Sequence, residues 1–289
     1  MSTHRRPEDA RLSVGVIGAG RVGAVLGAAL ARAGHELVGV SAVSEASRKR
    51  ADDLLPGVPV LAPEQVAAAA TLVLLAVPDD ALPDLVSGLA ALGAFRPGQL
   101  VVHTSGRHGL AVLAPAEGAL PIALHPVLPF TGTPHDLDRL AGVSFGVTSP
   151  DVVRPIAEAL VVEMGGEPVW IVEELRPLWH AALAHGANHL VTLVASAADL
   201  LRLAGVADPA AVLAPLLSAA LEGALRSGDA ALTGPVSRGD AGTVAAHLAV
   251  LPADVRASYL ALARLTADRA LASGRLALQQ AEGLLGVLQ

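Results

Sequence analysis

The chain has 289 residues and a mass of 29.0 kDa, enough for one large domain or two modest ones. Its 27 acidic residues against 20 basic ones leave a net charge of −7, which excludes the basic footprint of a general nucleic-acid binder. Cysteine is absent, so a disulfide framework, a thiolate nucleophile and a cysteine zinc site are excluded, and a reducing, cytoplasmic setting fits.

Apolar residues make up 53% and aromatic ones 2%, so the core must be built from Ala, Val and Leu. Such a chain is too apolar to be disordered. Lys49 is the one lysine, so no mechanism can use a lysine elsewhere. The first ten residues, MSTHRRPEDA, are polar and do not read as a signal peptide.

In chain order, residues 13–17 (SVGVI) read as a strand, followed by a glycine turn and a helix over 22–33 that Gly34 ends. Residues 35–41 form a second strand and 59–61 a short third. Residues 71–77 (TLVLLAV) are a near-continuous apolar run, as in a strand buried on both faces. Strands follow at 99–103, 120–124 and 143–147, then a helix over 150–164 and a last strand at 168–172. This alternation predicts an α/β fold, a doubly wound parallel Rossmann sheet. From 174 onward only helical periodicity is visible, with breaks at Gly205, Gly228, Gly234-Pro235 and Pro252. A dinucleotide-binding domain is therefore expected over 10–173 and an all-α domain over 174–289.

Gly18-Ala19-Gly20-Arg21-Val22-Gly23 follows a strand and opens a helix. In that context a GxGxxG turn lets backbone N–H groups approach a pyrophosphate at the helix N-terminus. The second strand ends in Ser41 rather than an acid, with Ser44 and Arg48 close behind. Hydroxyls and cations suit the 2′-phosphate of NADP, whereas NAD sites usually place Asp or Glu there. The turn Ala76-Val77-Pro78-Asp79-Asp80 should lie beside the cofactor, with Val77 and Pro78 in contact and the two aspartates capping a helix.

The next two strands end in His103-Thr104-Ser105 and in His125-Pro126. Thr104 falls on the cofactor side. Ser105 and His125 are candidates to position a substrate and exchange the proton that accompanies hydride transfer. His103, inside its strand, reads as structural.

Residues 177–198 carry no charged side chain and match a membrane span in length. His180, His185, Asn188 and His189 would be costly in lipid, so the segment reads as a buried helix of a soluble protein. At 100° per residue, His185, Asn188, His189, Thr192, Ser196 and Asp199 share one arc, suited to a cleft wall or a subunit contact. His185 and His189 at i,i+4 are too little for a metal site, and no metal is expected. Arg238, in LTGPVSRGD, has a fork suited to a carboxylate or phosphate, or to pairing with Asp240, which caps the following helix. Tyr259, Leu262, Leu265, Leu271, Leu278 and Leu285 give more apolar face than one chain buries, so a homodimer is expected.

The segments VGVIGAGRVG, LLAVPDDAL, VVHTSGRHGLAVLAPA, ALHPVLPF, WHAALAHGANHLVTL and ALTGPVSRGDAGTVAAHL resemble a bacterial family that joins a Rossmann-like domain to a helical C-terminal domain of unknown function. That family is similar to pyrroline-5-carboxylate reductases and the wider 6-phosphogluconate dehydrogenase-like group. The resemblance implies an NADP-dependent oxidoreductase acting on a small polar metabolite, a keto or hydroxy acid or an imine, with the helical domain dimerising and closing the site; the residues themselves suggest a substrate between Ser105, His125 and the stripe of His185, Asn188 and His189, with Arg238 on a substrate acid group. It leaves open a deazaflavin hydride partner, or a sensor or assembly protein that binds NADP without chemistry. Ketopantoate reductases use a lysine near the helical domain, and this chain has none there. Prephenate dehydrogenases carry a serine after one strand and a His-Pro after the next, which Ser105 and His125-Pro126 match.

Overall fold

Short runs of Val, Leu and Ile pair into one sheet in the computed structural model, which describes residues 11–289. The strands are β1 (Ser13–Ile17), β2 (Glu36–Ser41), β3 (Leu72–Leu75), β4 (Leu100–His103), β5 (Leu120–Pro126), β6 (Ser144–Thr148) and β7 (Glu167–Trp170). Their order is β2-β1-β3-β4-β5-β6-β7. Side chains alternate across the sheet. Leu72, Leu74, Leu100 and Val102 join a core on one face, beneath α1 (Arg21–Arg32) and α6 (Arg154–Glu163). Val73, Leu75 and Val101 join a core on the other face, with α3 (Pro63–Ala69) and α4 (Leu82–Ala91). Every residue of β3 and β4 is buried, which explains why they are apolar throughout but for His103 at the end of β4. The fold is α/β, with a Rossmann-like sheet followed by an all-helical segment.

The sheet is not wholly parallel. β6 runs antiparallel to β5, pairing Phe145 with Pro126 and Gly146 with His125. The connection between them carries a short helix, α5 (His135–Arg139), and returns to the end of β5 that it left instead of crossing the sheet. The expected strand at 59–61 reduces to one bridge, Val40–Val60. The expected helix over 150–164 opens as a 3-10 turn, Asp151–Val153, because Pro155 fits only the first turn of α6. A further helix, α2 (Glu45–Leu54), follows β2.

The chain divides into two compact units, the first ending at Gly186 and the second spanning Ala187–Gln289. The division falls later than the expected break at 173–174. α7 (Arg176–Leu183) carries Arg176 and Trp179, whose hydrogen bonds tie it to the first unit. The division lies within a π turn, Ala184–Asn188.

The second unit contains α8 (His189–Leu203), α9 (Pro209–Ser227), α10 (Ala241–Val250), α11 (Ala253–Ala272) and α12 (Leu278–Val287). Its core joins Val244, Leu248, Ala263, Ala267, Leu284 and Leu288. Gly205, Gly228 and Gly234 all have positive φ at the breaks read from sequence. Asp240 caps α10 by accepting from Thr243 N at 3.0 Å.

The helix expected to be buried is not. No residue of α8 is buried, and Val191 is 70% exposed. Lack of charge there marks an apolar surface, not an interior. The π turn, with its i→i+5 bonding, also breaks the regular 100° spacing that placed His185 in one arc with Asp199. Residues 209–238, by length and composition alone, are long and apolar enough to cross a membrane.

Candidate active site

The turn after β1 is shaped by what a side chain would strike. A Cβ at Gly18, where φ is +101°, would lie 2.6 Å from the Ala76 carbonyl oxygen, and one at Gly23 would lie 2.1 Å from that of Gly18. Gly20 differs. It is the N-cap of α1 without a side-chain cap, and its nearest neighbour to a Cβ is 3.9 Å away. The turn thus leaves the first N–H groups of α1 open toward an anion.

The two serines expected at the 2′-phosphate have local partners. Ser41 is buried, and its hydroxyl accepts from Gly18 N at 3.2 Å. The Ser44 hydroxyl caps α2 by accepting from Ser47 N at 3.1 Å. They shape the glycine turn and the helix start. The cations remain. Arg48 is exposed. The stems of Arg21 and Arg50 converge on Gly132, where a Cβ would lie 3.0 Å from Arg21 Cγ and from Arg50 Cδ. Among the described residues, none of these three arginines has a carboxylate within ion-pair distance.

Gly132 belongs to the β5–β6 connection. There Asp136 is fully buried and accepts from Thr131 N and Gly132 N at 2.7 Å each. Burial pushes its carboxyl up, but these bonds outweigh burial and hold it below the usual carboxylate range.

A cleft of about 450 Å³ runs along the carboxyl ends of the strands, the size of a ligand pocket and in the place open α/β sheets use. Gly20, Arg21 and Val22 line it after β1, and Val77, Pro78 and Asp79 after β3. Thr104 and Gly106 follow from β4, His125 and Phe130 from β5 and its loop, and His180 from α7.

His125 is the best-defined group. Its Nδ1 accepts the indole N–H of Trp179 at 3.1 Å. Gly146, opposite His125 in the antiparallel register, makes room for that indole: a Cβ there would lie 2.8 Å from Trp179 Nε1. With Nδ1 accepting, the proton of the neutral ring sits on Nε2. A Cβ at Gly106 would lie 2.9 Å from His125 Nε2 and 2.6 Å from His180 Cδ2, so a glycine is needed where the two imidazoles meet. Their ring centroids are 5.6 Å apart, edge to face. Burial lowers the His125 pKa to about 4, helped by His180 and Arg176 and opposed by Asp79.

Ser105 is buried and holds its loop. Its N–H donates to His103 Nδ1 at 3.2 Å, and its hydroxyl accepts from His108 N at 3.1 Å. Only its neighbours Thr104 and Gly106 line the cleft. His103 is fully buried, and its Nε2 donates to the Gly109 carbonyl at 3.0 Å. Asp79 and Asp80 do not cap α4, whose N-cap is Ala81, without a side-chain cap. They turn to Arg107, at 3.6 Å and 2.6 Å.

Sequence reasoning missed Arg176, Trp179 and His180. Their i, i+3, i+4 spacing puts them on one helix face, and that was the available signal. Arg176 is fully buried. It donates to the carbonyls of Ser105 at 2.7 Å and Gly146 at 3.3 Å, to that of His108, and to the Thr148 hydroxyl at 3.0 Å. His185 lies exposed at the end of the first unit, while Asn188, His189 and Arg238 are exposed in the second. The cleft of the first unit brings together Gly20, Arg21, Val22, Val77, Pro78, Thr104 and His125 of the residues singled out in the sequence.

A Rossmann-like domain model matches residues 2–126, and the model of a domain of unknown function (DUF2520) matches residues 143–266. No curated relative matches the chain. A candidate NADP oxidoreductase from Bacteroides fragilis is 22% identical with a TM-score of 0.74, over 89% of this chain and 98% of that one. A protein from Thermotoga maritima is 19% identical with a TM-score of 0.66, over 90% and 99%. A 1-pyrroline-5-carboxylate reductase from Streptococcus pyogenes is 18% identical with a TM-score of 0.61, over 90% and 98%. At these identities the likeness is one of fold. The chain thus carries a Rossmann-like domain followed by a domain of unknown function (DUF2520).

Proposed function

We propose that the protein is an NADP-dependent oxidoreductase that moves a hydride to or from the carbon of a C=O or C=N group in a small polar metabolite. The observation that carries this reading is the His125 imidazole, held by Trp179 as a neutral Nε2–H donor, in the same cleft as the open glycine turn. The oxidoreductases among its structural neighbours support it.

The residues fit the cofactor. Gly20 leaves the helix N-terminus free for a pyrophosphate, and Arg21, Arg48 and Arg50 supply cations suited to a 2′-phosphate. NADPH is expected to bind about tenfold tighter than NADH by calorimetry, as for one charge-assisted contact. Arg48→Ala combined with Arg50→Ala narrows the gap. Equal affinity in the wild type would reject the preference.

Bound there, a nicotinamide dinucleotide supplies the hydride. The His125 Nε2–H donates to the substrate oxygen or nitrogen, drawing electron density away from the carbon that accepts the hydride. Because His125 is held neutral, it stabilises charge without releasing a proton. His180, on the same cleft wall, moves the proton to that heteroatom. Screening small keto acids and cyclic imines for oxidation of NADPH tests the activity, and a set that yields no turnover counts against it.

The second unit acts as a subunit contact. Val191, Leu193 and Leu203 of α8 and Leu216, Leu221 and Leu225 of α9 are exposed, more apolar surface than a monomer usually leaves to water. The ion pair of Glu222 with Arg226 on α9 favours a protein contact over a membrane. Light scattering is expected to return the mass of a homodimer, and a monomer mass at micromolar concentration would reject it.

A further inference from the structure

A fully buried guanidinium with only neutral hydrogen-bond partners is costly to keep, and a lone structural role would be served by an apolar side chain. Arg176 is such a group. Its partners are Ser105 O and His108 O on the loop that carries Gly106, and Gly146 O and Thr148 Oγ1 on the strand beside His125. These two segments form the walls of the slot that holds the His125 ring. Glu173 adds a clasp, its carboxylate accepting from Ala111 N at 2.8 Å beyond the same loop. One turn after Arg176, Trp179 reaches His125 Nδ1. Its indole lies against Gly146, whose carbonyl Arg176 holds. The anchor and the indole are thus two ends of one device.

We infer that Arg176 and Trp179 are positioning residues that act through His125: Arg176 locks the first turn of α7 onto the loop and strand around the ring, and Trp179 thereby selects the tautomer that presents Nε2–H to the cleft. This rests on the reading of His125 as the donor to substrate. The device supplies no proton and touches no reacting atom. It fixes which ring nitrogen bears hydrogen and where that nitrogen stands.

The test uses the full chain and two readouts, the ring nitrogen shifts of His125 by NMR and the steady-state kinetics with NADPH. Trp179→Phe keeps the ring and removes the donor. It is expected to convert a single Nε2–H tautomer into a mixture of both and to lower kcat about tenfold, with KM for NADPH unchanged, the effect of one hydrogen bond. Arg176→Lys, which keeps the charge but loses the fork, is expected to produce the same tautomer mixture. Should Arg176→Lys fail to fold, Trp179→Phe still decides the matter.

An unchanged tautomer in Trp179→Phe overturns the inference, whatever the rate does. A mixed tautomer with unchanged kcat upholds the positioning role and overturns instead the reading of His125 as donor to substrate. A merely structural Arg176 would lower the melting temperature and leave the His125 tautomer unmoved.

Discussion

Replacing His125 with Ala is expected to lower turnover by about 10²–10³-fold, the loss typical of one preorganised donor to developing charge. NADPH affinity should stay nearly unchanged, because the glycine turn and the arginines that would hold the dinucleotide stand apart from the ring. The discriminating variant is His125→Gln, which keeps a neutral N–H donor. If His125 acts as a donor, Gln recovers part of the lost rate. If His125 acts as an acid, Gln behaves like Ala. The pH profile carries the same distinction. With its pKa lowered to about 4 by burial, by His180 and by Arg176, against Asp79, His125 is neutral throughout pH 5–8. Any limb of the kcat profile in that range belongs to another group. A limb near neutrality that disappears in His125→Gln would show that His125 itself exchanges the proton.

Acid is expected to destabilise the fold well before the carboxylates protonate. His103 is lowered to about 3, by burial first and then by Arg176 and His108, against its bond to Gly109 and the charge of Asp79. His125 is lowered to about 4. Both have an ordinary value of 6.5. A depressed pKa in the folded state means that the unfolded chain binds the proton first. Stability is therefore complete above pH 6.5, falls as pH drops toward 4 and 3, and changes no further through these groups once both states are protonated. Near pH 5 the unfolded chain binds more protons than the folded one at both histidines, a slope on the order of 2 kcal/mol per pH unit. Total stabilities are on the order of 5–15 kcal/mol, so the loss is large. Urea unfolding between pH 7 and 5 measures it, and a flat stability over that range would refute the burial of neutral histidines.

How much of this was legible in the sequence depends on the range of the interaction. The glycine turn was readable because its constraint is local: Gly18 and Gly23 are forced by backbone a few residues or one strand away. The buried strands were readable because both faces demand apolar side chains. The local partners of Ser41 and Ser44 were not readable, because a short hydroxyl serves a nearby N–H as readily as a ligand. The Trp179–His125 pair was beyond reach, since it depends on the antiparallel register that sets Gly146 opposite His125, and strand direction leaves no local mark. Arg176 lies just before the uncharged run, and its spacing to Trp179 and His180 places all three on one face, a signal the sequence does carry.

The Asp136 carboxylate, which gathers the N–H groups of Thr131 and Gly132 and the Thr131 hydroxyl, has a kinetic consequence. A loop tied by such bonds has surrendered its conformational freedom during folding, so a ligand that meets Phe130 and Arg21 does not have to order it. Association should then follow one exponential whose rate rises in proportion to ligand concentration, without the plateau that a slow closing step imposes. Asp136→Ala would return that freedom, and the plateau would appear in stopped-flow traces as the loop is made to settle after each encounter.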